Sequence, residues 1–184
     1  MKTVYFLLSK TDTKISKIIH FVNGGEFTHC SIALSPRTDK FMSFARRDVN
    51  NPLTACFIVE DLHEGIFGIY KDCHCSLYAV DLSDKAYQRM VRYIERNYIK
   101  SKTRSGYNYV GLFLLAFGIG IRRRTKRTCS QFVALTLDSS KEIYLPKKPF
   151  LMTPDDFKHI KNIRMIYEGS IGKCNFDRLA LPSK

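Results

Sequence analysis

Hydrophobic residues fall in short runs along most of this chain, and the period of each run predicts its element. Residues 3–8, Thr-Val-Tyr-Phe-Leu-Leu, form a continuous apolar stretch of the kind found in a short buried strand. Thr13 stands as an N-cap before Ile15, Ile18, Ile19 and Val22, which share one helical face, and Asn23-Gly24-Gly25 ends that helix. Phe27 to Leu34 reads as a strand, Ser35 to Asp39 as a turn, and Phe41 to Ala45 as the returning strand of a hairpin. Further strands are expected at 55–60 and 76–81.

The second half carries the helices. Ser83 caps a stripe of Ala86, Tyr87, Met90, Val91, Ile94 and Tyr98, with Lys85, Arg89, Arg92, Glu95 and Arg96 mostly outside it. Arg104 to Tyr109 reads as a loop or helix entry, and 110–119 as an apolar helix or packed segment. A basic run, Arg122 to Arg127, precedes a helix that begins at Cys129. Thr153-Pro154-Asp155-Asp156 has the pattern of a helix start with proline in first position, and a strand follows near 163–167. Helices combined with mostly antiparallel strands predict an α+β fold. No repeat, linker or composition break divides residues 1–184, so a single domain is expected.

Composition narrows the class of protein. With 45% hydrophobic residues, 13 Phe and 10 Tyr, the chain can bury a sizeable core, which excludes a disordered chain. Its 30 Lys and Arg against 17 Asp and Glu give a net charge of +13, a balance that favours polyanionic partners. The six cysteines invite a disulfide reading. However, the apolar run near Met1 stops after five residues and polar Ser9-Lys10-Thr11 follows, which is not a signal-peptide pattern. Reduced thiols and a cytoplasmic location are therefore expected. The longest apolar stretch, Val110 to Ile121, is too short for a spanning helix.

Candidate chemistry centres on Thr128-Cys129-Ser130-Gln131. Thr-x-x-Gln is a capping box, which places Thr128 at the N-cap and Cys129 in the first helical turn. A thiol there lies at the positive end of the helix dipole, with Arg124, Lys126 and Arg127 just upstream, and both effects favour the nucleophilic thiolate. The competing reading is a small buried hydrophobe. The partner candidate is His29, at the start of the strand that holds Phe27, Ser31 and Ala33 on one face and Thr28, Cys30, Ile32 and Leu34 on the other. At the head of a strand, a side chain can reach past the sheet edge.

Taken in order, Thr28-His29-Cys30-Ser31-Ile32, Phe41-Met42-Ser43-Phe44, Gly106-Tyr107-Asn108-Tyr109 and Thr128-Cys129-Ser130-Gln131 resemble the circularly permuted papain-like, NlpC-related proteins. That group includes the YiiX-like and lecithin retinol acyltransferase-like families, and the likeness covers roughly residues 25 to 160. It implies a permuted papain-like fold in which an antiparallel sheet packs against the N-terminus of the nucleophile helix. Cys129 would be the nucleophile, His29 the general base and then acid, and the Cys129 N–H one oxyanion donor. Thr128 and Ser130 would flank the substrate or oxyanion site, and Tyr107 resembles a tyrosine near the nucleophile in related proteins. Ser43 takes the position of the residue that orients the imidazole, where the family more often has Glu, Asn, Asp or His. Glu60 or a backbone carbonyl is the alternative orienter.

The resemblance implies a cysteine-dependent amidase, peptidase or esterase acting through an acyl-enzyme on a small-molecule, peptide or lipid acyl substrate, which the basic run suits if it is anionic. The contrasting hypothesis is a binding protein on the same scaffold that recognises anionic lipid, peptide or nucleic acid. No nucleic-acid module, phosphate loop or dinucleotide fingerprint is present, so neither specific nucleic-acid binding nor a cofactor is expected. Cys73-His74-Cys75 lacks zinc-knuckle spacing and a second ligand pair, so no metal is expected either. His20 and His159 read as ordinary helix and tail residues.

Overall fold

The apolar run near the N-terminus becomes the strand on which both halves of the core are built. β1 (Lys2–Lys10) pairs antiparallel with β2 (His29–Ala33) on one side and with β5 (His74–Leu82) on the other. The computed structural model describes residues 1–10, 24–35, 40–48, 55–99, 106–115, 117–123 and 126–175. The helix expected over residues 13–22, most of the turn at 35–39, and Arg124 lie outside them.

β3 (Lys40–Arg46), β4 (Ala55–Asp61) and β8 (Ile163–Ser170) complete a six-stranded sheet of order β4-β3-β2-β1-β5-β8, antiparallel throughout. Strand alternation then splits the core in two. Val4, Phe6 and Leu8 of β1 face one layer, joined by Cys30, Ile32 and Phe44. Tyr5 and Leu7 face the other, joined by Ala33, Phe41, Cys75 and Leu77. The unbroken apolar run Val4–Leu8 in β1 is the pattern expected of a strand with no solvent face.

Helices pack on both faces, the longer ones on the first. α1 (Gly65–Ile69) is a single short turn beside β4 and packs Phe67 into the second layer. The longer α2 (Asp84–Ile94) is capped as expected, the Ser83 hydroxyl accepting from the Ala86 N–H at 3.1 Å, and it buries Ala86, Met90 and Ile94. It runs on into a π-helical turn at Glu95–Ile99. The site helix, described as α4 below, spans Cys129–Ser139 and buries nearly every residue of its first two turns. Its Phe132 meets Phe44, Phe57 and Tyr98 with ring centroids 5.0–5.7 Å apart. Arg89 of α2 donates to the Ser140 carbonyl at 3.0 Å, which ties the two helices at the far end.

Three segments differ from the expectation. Gly106–Tyr107 is not a loop but a short strand, β6, paired in parallel with β7 (Lys126–Arg127). The apolar helix between them, α3 (Tyr109–Leu115), stops early, and Gly118 at φ +71° turns the chain. The stretch from Pro154 to His159 is a 3₁₀ helix, because Asp156 caps Thr153 and Asp155 is turned out to accept from the Glu26 and Phe27 N–H groups. α1 lacked any periodic signal, being five residues long. An antiparallel sheet with helices makes the fold α+β. Among the described residues, no helix is long and apolar enough to cross a membrane.

Candidate active site

The N-terminus of α4 is fixed by side chains that the sequence supplies locally. Thr128 Oγ1 accepts from the Gln131 N–H at 3.2 Å, and Gln131 Oε1 accepts from the Thr128 N–H at 3.3 Å, closing the capping box. Ser130 pairs its hydroxyl with Thr128 Oγ1 at 3.1 Å, so both side chains serve the helix end in this structure. Asn108 ties the preceding strand pair into this end. Its N–H donates to the Arg127 carbonyl, its Nδ2 approaches Gln131 Oε1 at 3.4 Å, and its Oδ1 accepts from the Gly111 N–H at 3.0 Å. A Cβ on Gly111 would lie 2.0 Å from Asn108 Nδ2, so only glycine allows the approach.

Cys129 is therefore held in the first turn, buried, with a defined set of neighbours. The Cys30 thiol is foremost among them: its hydrogen bond to the Cys129 sulfur does most to hold the Cys129 pKa well below the ordinary thiol value. Burial opposes this, while a hydrogen bond and the charge of His29, and a main-chain hydrogen bond from Cys30, add to it. Burial pushes the Cys30 thiol itself well up, so Cys30 keeps its proton and can donate it. Burial and the Cys129 charge likewise hold the Tyr107 phenol in its neutral, donating form, hydrogen-bonded to Cys129. A thiolate here faces an S–H, an O–H, an imidazole and the helix N-terminus.

His29 opens β2, and its ring meets both Cys129 and a carboxylate. His29 Nε2 lies 3.0 Å from Glu60 Oε2, with the two side chains 15% and 8% exposed. Burial disfavours the imidazolium, but the Glu60 charge and hydrogen bonds with Cys129 and Glu60 outweigh it and raise the His29 pKa well above its usual value. Phe67 of α1 flanks the ring, 6.5 Å between centroids. Of the orienters left open by the sequence, Glu60 is the one placed against the imidazole. The register Ile32↔Met42 sets Ser43 level with Ser31, yet the hydroxyls of both are buried with no partner among the described residues.

A cleft of about 480 Å³ borders this pair. Glu60 and Phe67 form part of its wall, and Phe57, Arg46 and Arg47 another part. Its lining mixes apolar side chains with both signs of charge, Arg46 and Arg47 standing against Glu60, Asp61 and Glu64.

The other sequence candidates separate. Cys73 and Cys75 are buried in the second layer, and β5 alternation turns His74 away from Cys75. His74 instead lies 3.5 Å from Glu26 and 3.6 Å from Glu168, a group whose ligand atoms fall within 4.8 Å of one another. Lys158 already pairs with Glu26 at 3.1 Å. None of the six cysteines forms a disulfide.

Neither Cys30 nor Asn108 had a role legible in the sequence. Alternation put Cys30 on the face opposite His29, and only the docking of α4 across the end of β2 brings both to one sulfur. The chain matches no protein-family model, and no curated protein is significantly similar to it.

Proposed function

We propose that the protein is a cysteine-dependent hydrolase on a permuted papain-like scaffold, acting on an amide or ester through an acyl-enzyme. The observation that carries this reading is the Cys129 thiol at a capped helix N-terminus, in contact with an imidazole that Glu60 also pairs. Order along the chain, histidine strand before cysteine helix, supports the permuted scaffold.

In this reading the Cys129 thiolate attacks the acyl carbon, and the carbonyl oxygen becomes an oxyanion that accepts from the Cys129 N–H and the Tyr107 hydroxyl. The tetrahedral intermediate collapses as the His29 imidazolium gives its proton to the departing amine or alcohol. A water then loses a proton to neutral His29 and attacks the thioester. Its collapse releases the carboxylic acid, and the His29 proton returns the site to its resting thiolate–imidazolium pair. Glu60 holds the ring and its charge through both halves.

The test is a panel of acyl amides and acyl esters, with the intact protein followed by mass spectrometry. Expected are an acyl adduct on Cys129, its loss in Cys129→Ala, and turnover lowered by roughly a hundredfold in Tyr107→Phe. Equal turnover in Cys129→Ala removes the mechanism.

A further inference from the structure

Large apolar side chains exposed at the surface are concentrated in one place. Among the described residues there are eleven, and five of them, Tyr109, Val110, Phe113, Phe117 and Ile119, fall within a single stretch of the chain. Isolated exposed hydrophobics need no explanation, but a contiguous cluster does. Four of these side chains are 50–66% exposed, and the Phe113 and Phe117 rings contact each other edge to face at 5.5 Å.

The cluster is presented by a pinned segment. Leu112 and Leu115 bury the opposite side of α3. Gly118, with its positive φ, folds Phe117 back beside the helix, and Gly120 sits so close to Phe150 and Leu151 that a Cβ would lie 2.9 Å from the Leu151 side chain. Both ends of the segment return to the parallel β6–β7 pair, directly before Asn108 and Thr128. The exposed face is thus fixed to the same framework that holds Cys129.

Charge identifies what this face fits. From Arg96 to Leu137 the sequence has no Asp or Glu, but carries Arg96, Lys100, Lys102, Arg104, Arg122, Arg123, Arg124, Lys126 and Arg127. Arg122 and Lys126 are exposed, and neither they nor Arg123 pair with a carboxylate among the described residues. A second copy of this chain would bring the same sign of charge to the contact. Nucleic acid would meet the cations and leave the phenylalanines in water. An anionic lipid surface satisfies both, taking the aromatic and aliphatic side chains at the acyl boundary and the cations at the headgroups.

We infer that the α3 face, led by Val110, Phe113, Phe117 and Ile119 and flanked by Arg122 and Arg123, docks the protein peripherally on an anionic membrane surface. The inference stands independently of the hydrolase reading, since binding requires no chemistry at Cys129. Docked this way, the protein holds the Tyr107–Cys129 framework next to the bilayer.

Co-sedimentation with vesicles tests it, using phosphatidylcholine alone and phosphatidylcholine mixed with phosphatidylglycerol. The wild type is expected to pellet with the mixed vesicles, to stay in solution with phosphatidylcholine alone, and to be released by salt. Phe113→Ser with Phe117→Ser should weaken partitioning at least tenfold, and Arg122→Gln with Arg123→Gln by roughly thirtyfold. Both variants should keep wild-type circular dichroism and Cys129 alkylation, which shows that they fold. Unchanged binding in either variant, or a wild type that never pellets, overturns the inference. So does a concentration-dependent dimer that the phenylalanine substitutions dissolve, since the face would then be covered by a second copy.

Discussion

His29 Nε2 and Glu60 Oε2 stand 3.0 Å apart on neighbouring parts of the sheet, the histidine at the head of β2 and the glutamate near the end of β4. The contact matters because the histidine is buried, and burial alone would strip its proton. Glu60 reverses that outcome, and an imidazolium beside Cys129 in turn favours the thiolate.

Glu60→Gln removes the charge and keeps the shape. The His29 ring should then titrate lower than in the wild type, read by nuclear magnetic resonance of labelled histidine. Ser43→Ala should leave the titration where it was, because the Ser43 hydroxyl contacts no hydrogen-bond partner among the described residues. A shift in the serine variant equal to that in the glutamine variant would exchange their roles.

Cys30 gives a second handle on the same sulfur. Its thiol is the largest influence holding the Cys129 pKa down. Cys30→Ala should move the pH profile of Cys129 alkylation upward by about one to two units, the scale of one hydrogen bond to a charged group. Cys30→Ser restores an X–H donor and should recover part of the shift. An unmoved profile in Cys30→Ala would show that the thiol contributes nothing.

The sign of the pH dependence of stability follows from these shifts. Cys129 has a folded pKa below its ordinary 9.0, so its contribution is fully present above that value and is lost as pH falls through the folded one. His29 has a folded pKa above 6.5, so its contribution is fully present below that value and is lost as pH rises through the folded one. The advantage of the wild type over Cys129→Ala in urea should therefore shrink on acidification, and its advantage over His29→Gln should shrink on alkalinisation. Advantages that grow in those directions would reverse the assigned charges.

The framework around the thiol should be costly to disturb. Thr128→Ala loses the cap and should cost about 1 kcal/mol. Asn108→Ala leaves the buried Gly111 N–H without its acceptor and should cost about 2 kcal/mol. Thermal and urea unfolding measure both. An Asn108 variant as stable as the wild type would mean that Asn108 does not hold the strand pair to α4.

Much of this architecture was legible in short-range patterns. The apolar run of β1, the Ser83 cap and the Thr128–Gln131 capping box each rest on residues a few positions apart, where local physics decides the outcome. The Cys129 position at a helix N-terminus was readable for the same reason. Tyr107 could be placed beside Cys129 only through a resemblance, because the β6–β7 pairing that brings them together joins residues about twenty apart. Glu60 remained one choice among three, since sheet register across two hairpins is not written in either strand alone. Cys30 had no signal at all: alternation set it opposite His29, and tertiary docking of α4 overrode that separation. The end of α3 was not legible, because apolar residues continue through Phe117 and Ile119 and a helix or a packed segment fits them equally, while Gly118 turns the chain.

The central claim is a reactive thiolate at Cys129 that depends on His29. Its most direct test is the alkylation rate of the Cys129 peptide by iodoacetamide, followed by mass spectrometry from acid to mildly alkaline pH in wild type and His29→Ala. Fast alkylation is expected to persist well below the ordinary thiol value of 9.0, and to be lost or displaced upward in His29→Ala. Slow alkylation at acid pH with the same profile in both proteins would contradict it.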